Sequence, residues 1–178
     1  MEVLIVVDMQ KDFVDGALGT PEAVAIVPQV AARIEAGMAR GETILFTRDT
    51  HESDYMDTQE GRNLPVPHCI RDTEGWEIIP QLKPYVVGFA PVDKPTFGSV
   101  NLAQTLAAIH QGTPIEKITL IGLCTDICVI SNALLLKAFL PEVPIAVDAA
   151  CCAGVTPESH LGALASMKLC QIAVENET

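Results

Sequence analysis

The sequence predicts an α/β domain: a doubly wound, mainly parallel sheet with helices on both faces, in three layers. Short, fully apolar runs rich in Val and Ile alternate with segments of helical period, and the connections between most of them are short. That alternation places helices between parallel strands, and right-handed crossovers then cover both faces of the sheet.

Residues 3–7, Val-Leu-Ile-Val-Val, read as a strand closed by Asp8, and residues 43–47 as a second, ending near Asp49. Residues 117–123 and 144–147 are two further strands, with 171–174 a last one. Between them, residues 28–40 carry Val30, Ile34 and Met38 at four-residue spacing. Pro28 suits a first helical turn there and Gly41 a stop. Residues 100–110, 126–140 and 158–169 read as three more helices, the second apolar nearly all round and closed by Pro141. Residues 49–76 fit neither period and are rich in Asp, Glu, Pro, His and Gly. So long an irregular stretch in a compact domain is usually functional. No repeat, low-complexity tract or linker divides the chain, which reads as one domain over 1–178.

Composition narrows the classes of function. The 178 residues are 49% hydrophobic and 19% charged, which argues against disorder. With 11 basic against 23 acidic residues, the net charge is −12, and no basic stripe offers a surface to nucleic acid. No apolar run approaches the roughly 20 residues of a membrane span, and the apolar opening lacks the basic start of a signal peptide. Six cysteines in a chain with an ample core, several of them (Cys124, Cys151, Cys170) in apolar surroundings, suit reduced thiols. The chain is therefore expected to be cytoplasmic.

In open parallel sheets ligands bind beyond the carboxyl ends of the strands. Asp8, Asp49 and Cys128 follow three such ends, and Lys94 follows the strand-like Val92. A thiol in the first turn of a helix meets the positive end of the helix dipole, which favours the thiolate. Asp8 could take its proton and Lys94 could stabilise the ionised pair. A lone helix cysteine is more often a buried structural residue, and Asp8 alone would as soon cap a turn, so position does not decide. Asp49-Thr50-His51 projects two ligands from one extended piece, and His68 can return as a third. One Asp and two His suit Zn²⁺, Fe²⁺ or Mn²⁺, with Glu60 binding directly or through water. His110 and His160 lie in helical segments and receive no role.

Together these pieces resemble the isochorismatase-like cysteine hydrolases, and among them the nicotinamidases. The resemblance rests on Val7-Asp8-Met9-Gln10-Lys11-Asp12-Phe13, the segment from Asp49-Thr50-His51 to His68, Asp93-Lys94-Pro95-Thr96-Phe97, Gly122-Leu123-Cys124-Thr125-Asp126-Ile127-Cys128-Val129, and the stretch from Val147-Asp148 to Ser159-His160. It implies the family's Rossmann-like sandwich and a catalytic triad of Asp8, Lys94 and Cys128. It also implies a cis peptide between Leu123 and Cys124, which would aim the N–H groups of Cys124 and Cys128 at one oxyanion. The metal set Asp49, His51 and His68 points to the nicotinamidase branch, where a divalent ion, zinc first, holds the pyridine nitrogen and aromatic side chains sandwich the ring. Phe13 matches one wall; the partner position is Pro65, with Tyr55, Leu64 or Trp76 as substitutes. Cys124 stands where alanine is commoner.

The implied reaction converts nicotinamide to nicotinate and ammonia through a Cys128 thioester. Its rivals are another amide, carbamoyl or ureido substrate, isochorismate, or a non-enzymatic thiol or metal-binding protein. The partners expected are a small-molecule amide and further copies of the chain, with neither nucleic acid nor membrane.

Overall fold

A computed structural model describes residues 1–177. Strand β1 (Glu2–Val7) leads through short helices α1 (Lys11–Val14) and α2 (Pro21–Ala25) into α3 (Val27–Ala39) and β2 (Thr43–Asp49). After a long connection holding α4 (Gln59–Asn63) come β3 (Val92–Lys94), α5 (Val100–Gly112) and β4 (Lys117–Leu123). A π-helical turn (Thr125–Val129) then opens α6 (Ile130–Phe139), followed by β5 (Ile145–Ala153), α7 (Pro157–Leu169) and β6 (Ala173–Glu175).

The six strands are all parallel, in the order β3-β2-β1-β4-β5-β6. The doubly wound sheet expected from the alternating pattern is thus present. Strand periodicity explains why β1 is apolar from Val3 to Val7: Val3, Ile5 and Val7 face one core and Leu4 and Val6 the other. Leu102, Leu106, Leu136 and Leu164 from α5, α6 and α7 fill the first core. Phe13, Val30 and Ile34 from α1 and α3, with Trp76, Ile78 and Leu82 from the long connection, fill the second.

Chain direction across the sheet reverses at β1, which has β2 on one side and β4 on the other. That reversal opens a crevice at the carboxyl ends of these strands. Gly122 lets them lie close there. Its φ is +112°, and a Cβ would sit 2.1 Å from the Val7 carbonyl oxygen. Gly122→Ala is therefore expected to destabilise the fold by at least about 3 kcal/mol, from a backbone clash added to a left-handed strain. A denaturant midpoint would measure it, and a cost under about 1 kcal/mol would mean that β1 and β4 separate freely.

The differences from the sequence expectations are local. Strand β5 extends past residue 147 to Ala153 because its small residues Ala149, Cys151 and Cys152 pack between the layers. The helix expected over 126–140 starts as a π-helical turn. The irregular stretch 49–76 folds into short helical turns with little regular hydrogen bonding of its own. All six cysteines are free; Cys170, expected in apolar surroundings, is exposed at the end of α7. Among the described residues no helix is long and apolar enough to cross a membrane.

Candidate active site

Asp8, Lys94 and Cys128 meet in the crevice. Asp8 leaves β1 with φ +47°, a left-handed conformation that aspartate tolerates at a cost and that turns its carboxylate across the strand ends. Thr47 at the end of β2 donates to Asp8 Oδ1 at 2.6 Å and accepts from the Asp8 N–H at 3.2 Å. Lys94 Nζ lies 2.7 Å from Asp8 Oδ2, a fully buried ion pair. The same ammonium lies 3.3 Å from Cys128 Sγ and 3.2 Å from Asp49 Oδ1. Both Asp8 and Lys94 are fully buried, whereas Cys128, 4% exposed, borders a cavity.

Burial dominates the electrostatics. It pushes the Asp8 carboxyl upward, a rise that the adjacent Lys94 charge only partly offsets. Burial alone would discharge Lys94, but Asp8, Cys128 and Asp49 around it hold the ammonium charged. The thiol of Cys128 departs from expectation: burial and then the Asp8 charge push it well above 9.0, against the pull of Lys94. The helix-end effect favouring a thiolate is outweighed because the sulfur is out of water and faces a carboxylate. The sulfur therefore rests as a thiol beside a strengthened base, an arrangement in which transfer of its proton to Asp8 would yield a nucleophile.

The long connection brings a second constellation to the same cavity. Asp49, His51, Glu60 and His68 each offer a ligand atom, all within 4.8 Å of one another. His51 Nε2 lies 2.9 Å from Asp49 Oδ2 and 3.6 Å from Glu60 Oε1; His68 Nε2 lies 3.7 and 3.9 Å from the same two oxygens. Ligands about 2.0 Å from a tetrahedral ion stand roughly 3.3 Å apart, so the spacing suits a divalent metal. Two further features agree. His51 Nε2 is buried, and its near neighbours are the carboxylate oxygens of Asp49 and Glu60. His68 Nδ1 meets the Val66 carbonyl at 2.8 Å, which can only accept, so Nδ1 carries the proton and Nε2 presents its lone pair. Glu60, expected from sequence to bind directly or through water, is brought in by α4, which Thr58 caps through the Gly61 N–H.

Residues that sequence reasoning passed over hold these groups in place. Gln10, fully buried, clamps the Asp49 backbone: Oε1 accepts from its N–H at 2.7 Å and Nε2 donates to its carbonyl at 2.8 Å. Asn132, one turn beyond Cys128, donates to the Cys128 carbonyl at 2.8 Å and accepts from the Ser99 N–H at 2.9 Å, tying α6 to the loop after Lys94. An Asn among the Ala and Leu residues of a mostly apolar helix was the available signal.

The cavity, about 800 Å³, runs from Cys128 to the histidines and is walled by Phe13, Leu18, Leu64 and Phe97 among others. Of the three candidates for a second wall only Leu64 borders it. Tyr55 instead packs its ring 4.7 Å from His51 and 5.1 Å from His68, and Trp76 lies beneath Arg48 and donates to Thr50. Phe97, quoted in a motif but given no role, is the second aromatic. The expected cis peptide is absent: among the described residues every peptide is trans, Leu123–Cys124 included. The turn is made instead by the left-handed Gly122 and by the π-helical turn, in which Cys124 O accepts from both Ile127 N and Val129 N. Cys124 and Cys128 still both border the cavity.

Known proteins share this arrangement of strands. A pyrazinamidase of Pyrococcus horikoshii, solved in complex with zinc, is 30% identical with 97% of each chain covered and a TM-score of 0.78. A nicotinamidase/pyrazinamidase of Bacillus subtilis is 27% identical, with 98% of this chain and 99% of that one covered and a TM-score of 0.82. An N-carbamoylsarcosine amidase of Thermoplasma acidophilum is also 27% identical, with 99% and 98% covered and a TM-score of 0.79. In sequence, the nicotinamidase of Saccharomyces cerevisiae is 28% identical over 114 residues, 49% of this chain and 52% of the yeast protein. The chain thus spans about half the length of that curated relative. The isochorismatase domain matches residues 2–177, practically the length over which the sheet, the triad and the four-donor cluster are built, and the chain belongs to that family of hydrolases.

Proposed function

We propose that the protein hydrolyses the carboxamide of a pyridine or pyrazine ring, nicotinamide first, to the acid and ammonia. One observation carries this reading: a thiol flanked by a buried base and an ammonium shares a single cavity with a metal-ligand cluster. A flat heteroaromatic amide can address both ends, its amide carbon toward Cys128 and its ring nitrogen toward the metal site, with Phe13 and Phe97 available to its faces. The zinc-complexed pyrazinamidase and the two nicotinamidases among the relatives support the same substrate class.

Asp8 takes the thiol proton as Cys128 Sγ bonds to the amide carbon, and the carbonyl oxygen becomes an oxyanion near the backbone of Cys124 and Cys128. Asp8 returns the proton to the departing nitrogen, which leaves as ammonia, and a thioester remains on Cys128. Asp8 next accepts a proton from water as its oxygen attacks the thioester carbon. The sulfur leaves and is reprotonated, giving the acid and the starting thiol. Lys94 keeps its charge throughout, which offsets the negative charge that moves among Asp8, the sulfur and the substrate oxygen. A divalent ion held by Asp49, His51, His68 and Glu60, zinc being the first choice, would supply a Lewis-acid anchor for the ring nitrogen.

The match to an N-carbamoylsarcosine amidase supports a second reading, hydrolysis of an N-carbamoyl compound. Ammonia release from nicotinamide, pyrazinamide and N-carbamoylsarcosine, with and without a chelator, separates them. Turnover of the two ring amides, lost on chelation, is the expected result. Turnover of the carbamoyl compound alone, indifferent to the chelator, would replace the first reading with the second.

A further inference from the structure

The π-helical turn that carries Cys128 is anchored from outside the crevice. Thr125, the first residue of that turn and fully buried, has its hydroxyl 2.7 Å from His160 Nδ1. A hydroxyl both donates and accepts, so this bond survives either tautomer of the ring. Asp126, next in the turn, accepts from the Val155 N–H at 3.2 and 3.3 Å through its two oxygens. The turn is thus tied by two successive side chains to the junction of β5 and α7.

That junction is itself rigid. Thr156 and Ser159 cap α7 reciprocally, Pro157 occupies its first turn, and the His160 N–H donates to the Thr156 carbonyl at 3.0 Å. Gly154 permits the close approach, since a Cβ there would lie 2.8 Å from the His160 backbone nitrogen. His160 is only half-buried and borders a second cavity of about 370 Å³, together with Ile26, Cys152 and Leu164. With open volume beside it, the ring is not held by packing alone; its bond to Thr125 orients it. Burial also keeps the ring neutral at ordinary pH, against the nearby charges of Asp126 and Glu177.

We infer that His160 is a positioning residue for the nucleophile: through Thr125 it holds the turn that sets Cys128 Sγ against Lys94 and Asp8. A π-helical turn is an uncommon conformation, usually found where function requires it, and removing its one outside hydroxyl partner lets it relax toward ordinary α-helical pairing. A displacement near 1 Å can cost about 10²-fold in rate.

This inference rests on Cys128 being the nucleophile of an amidase, so its test has an arm that does not need the substrate. Asn places a side-chain polar atom near the position of Nδ1, whereas Ala removes it. His160→Ala and Thr125→Val are each expected to lower kcat for nicotinamide roughly tenfold or more, with KM within about twofold. The double variant should be no slower than either single one, and His160→Asn should restore most of the rate. Alkylation of Cys128 by iodoacetamide, followed by mass spectrometry, should slow in the same order across the variants. If the wild type turned over no ring amide, the proposed substrate would fail while the alkylation series still decided the role of His160. Additive losses, a drop confined to KM, a loss that follows thermal stability rather than the hydrogen bond, or unchanged alkylation would each overturn it.

Discussion

Cys128→Ala is expected to release no measurable ammonia from nicotinamide, a loss of at least roughly 10⁴-fold, the scale seen when a nucleophile is removed. The sulfur is the group that forms a bond to carbon, and of the two thiols that border the cavity, Cys124 and Cys128, it is the one 3.3 Å from the Lys94 ammonium. Asp8 and Lys94 remain paired at 2.7 Å without it, and neither ion is left unpartnered. The variant should therefore fold, with a stability cost of about 1 kcal/mol from one deleted buried atom, and should bind metal as the wild type does. Turnover within tenfold of wild type by folded, metal-loaded protein would reject covalent catalysis. Asp8 would then have to activate water directly.

Asp49→Asn is the second large effect. Asp49 stands between the two halves of the site, with Oδ1 3.2 Å from the Lys94 ammonium and Oδ2 2.9 Å from His51 Nε2. Burial opposes its ionisation, yet the hydrogen bond from His51 and the charge of Lys94 together hold the carboxyl below its ordinary value, so it is an anion at neutral pH. Asparagine keeps the shape and leaves the backbone clamp to Gln10 intact, but removes the charge that a divalent ion requires. Zinc affinity should fall by more than about 10²-fold, beyond what loss of a supporting hydrogen bond costs, and turnover should fall with it. Metal analysis after dialysis, beside activity at rising zinc concentrations, would measure both. Full metal content in the variant would remove Asp49 from the ligand set and leave it as a partner of Lys94 alone.

Much of the site was legible because its residues punctuate strands. Asp8, Asp49 and Cys128 each follow an apolar run, and a parallel sheet brings such ends together whatever their distance in sequence. The metal set was legible from donor chemistry: Asp-x-His at a strand end, with a second His in a loop too long to be mere connection. The supporting residues were not. Gln10 and Asn132 look like any polar residue until the backbone groups they satisfy are placed opposite them. Phe97 was visible only as part of a motif, and Tyr55 and Trp76 looked equally suited to the cavity wall. Which aromatic faces the cavity depends on how the irregular stretch 49–76 folds back, and no periodicity governs that.

The sequence by itself determined the layered parallel architecture, which follows from local apolar pattern, and named the candidate groups Asp8, Lys94 and Cys128 through their place at strand ends and the resemblance of their motifs. Only the tertiary structure decided the resting state of the thiol, the trans peptide before Cys124, the π-helical turn and the anchoring of that turn by Thr125 and His160. The reason is physical: desolvation, charge pairing and backbone strain depend on what surrounds an atom, and those surroundings come from segments far apart along the chain.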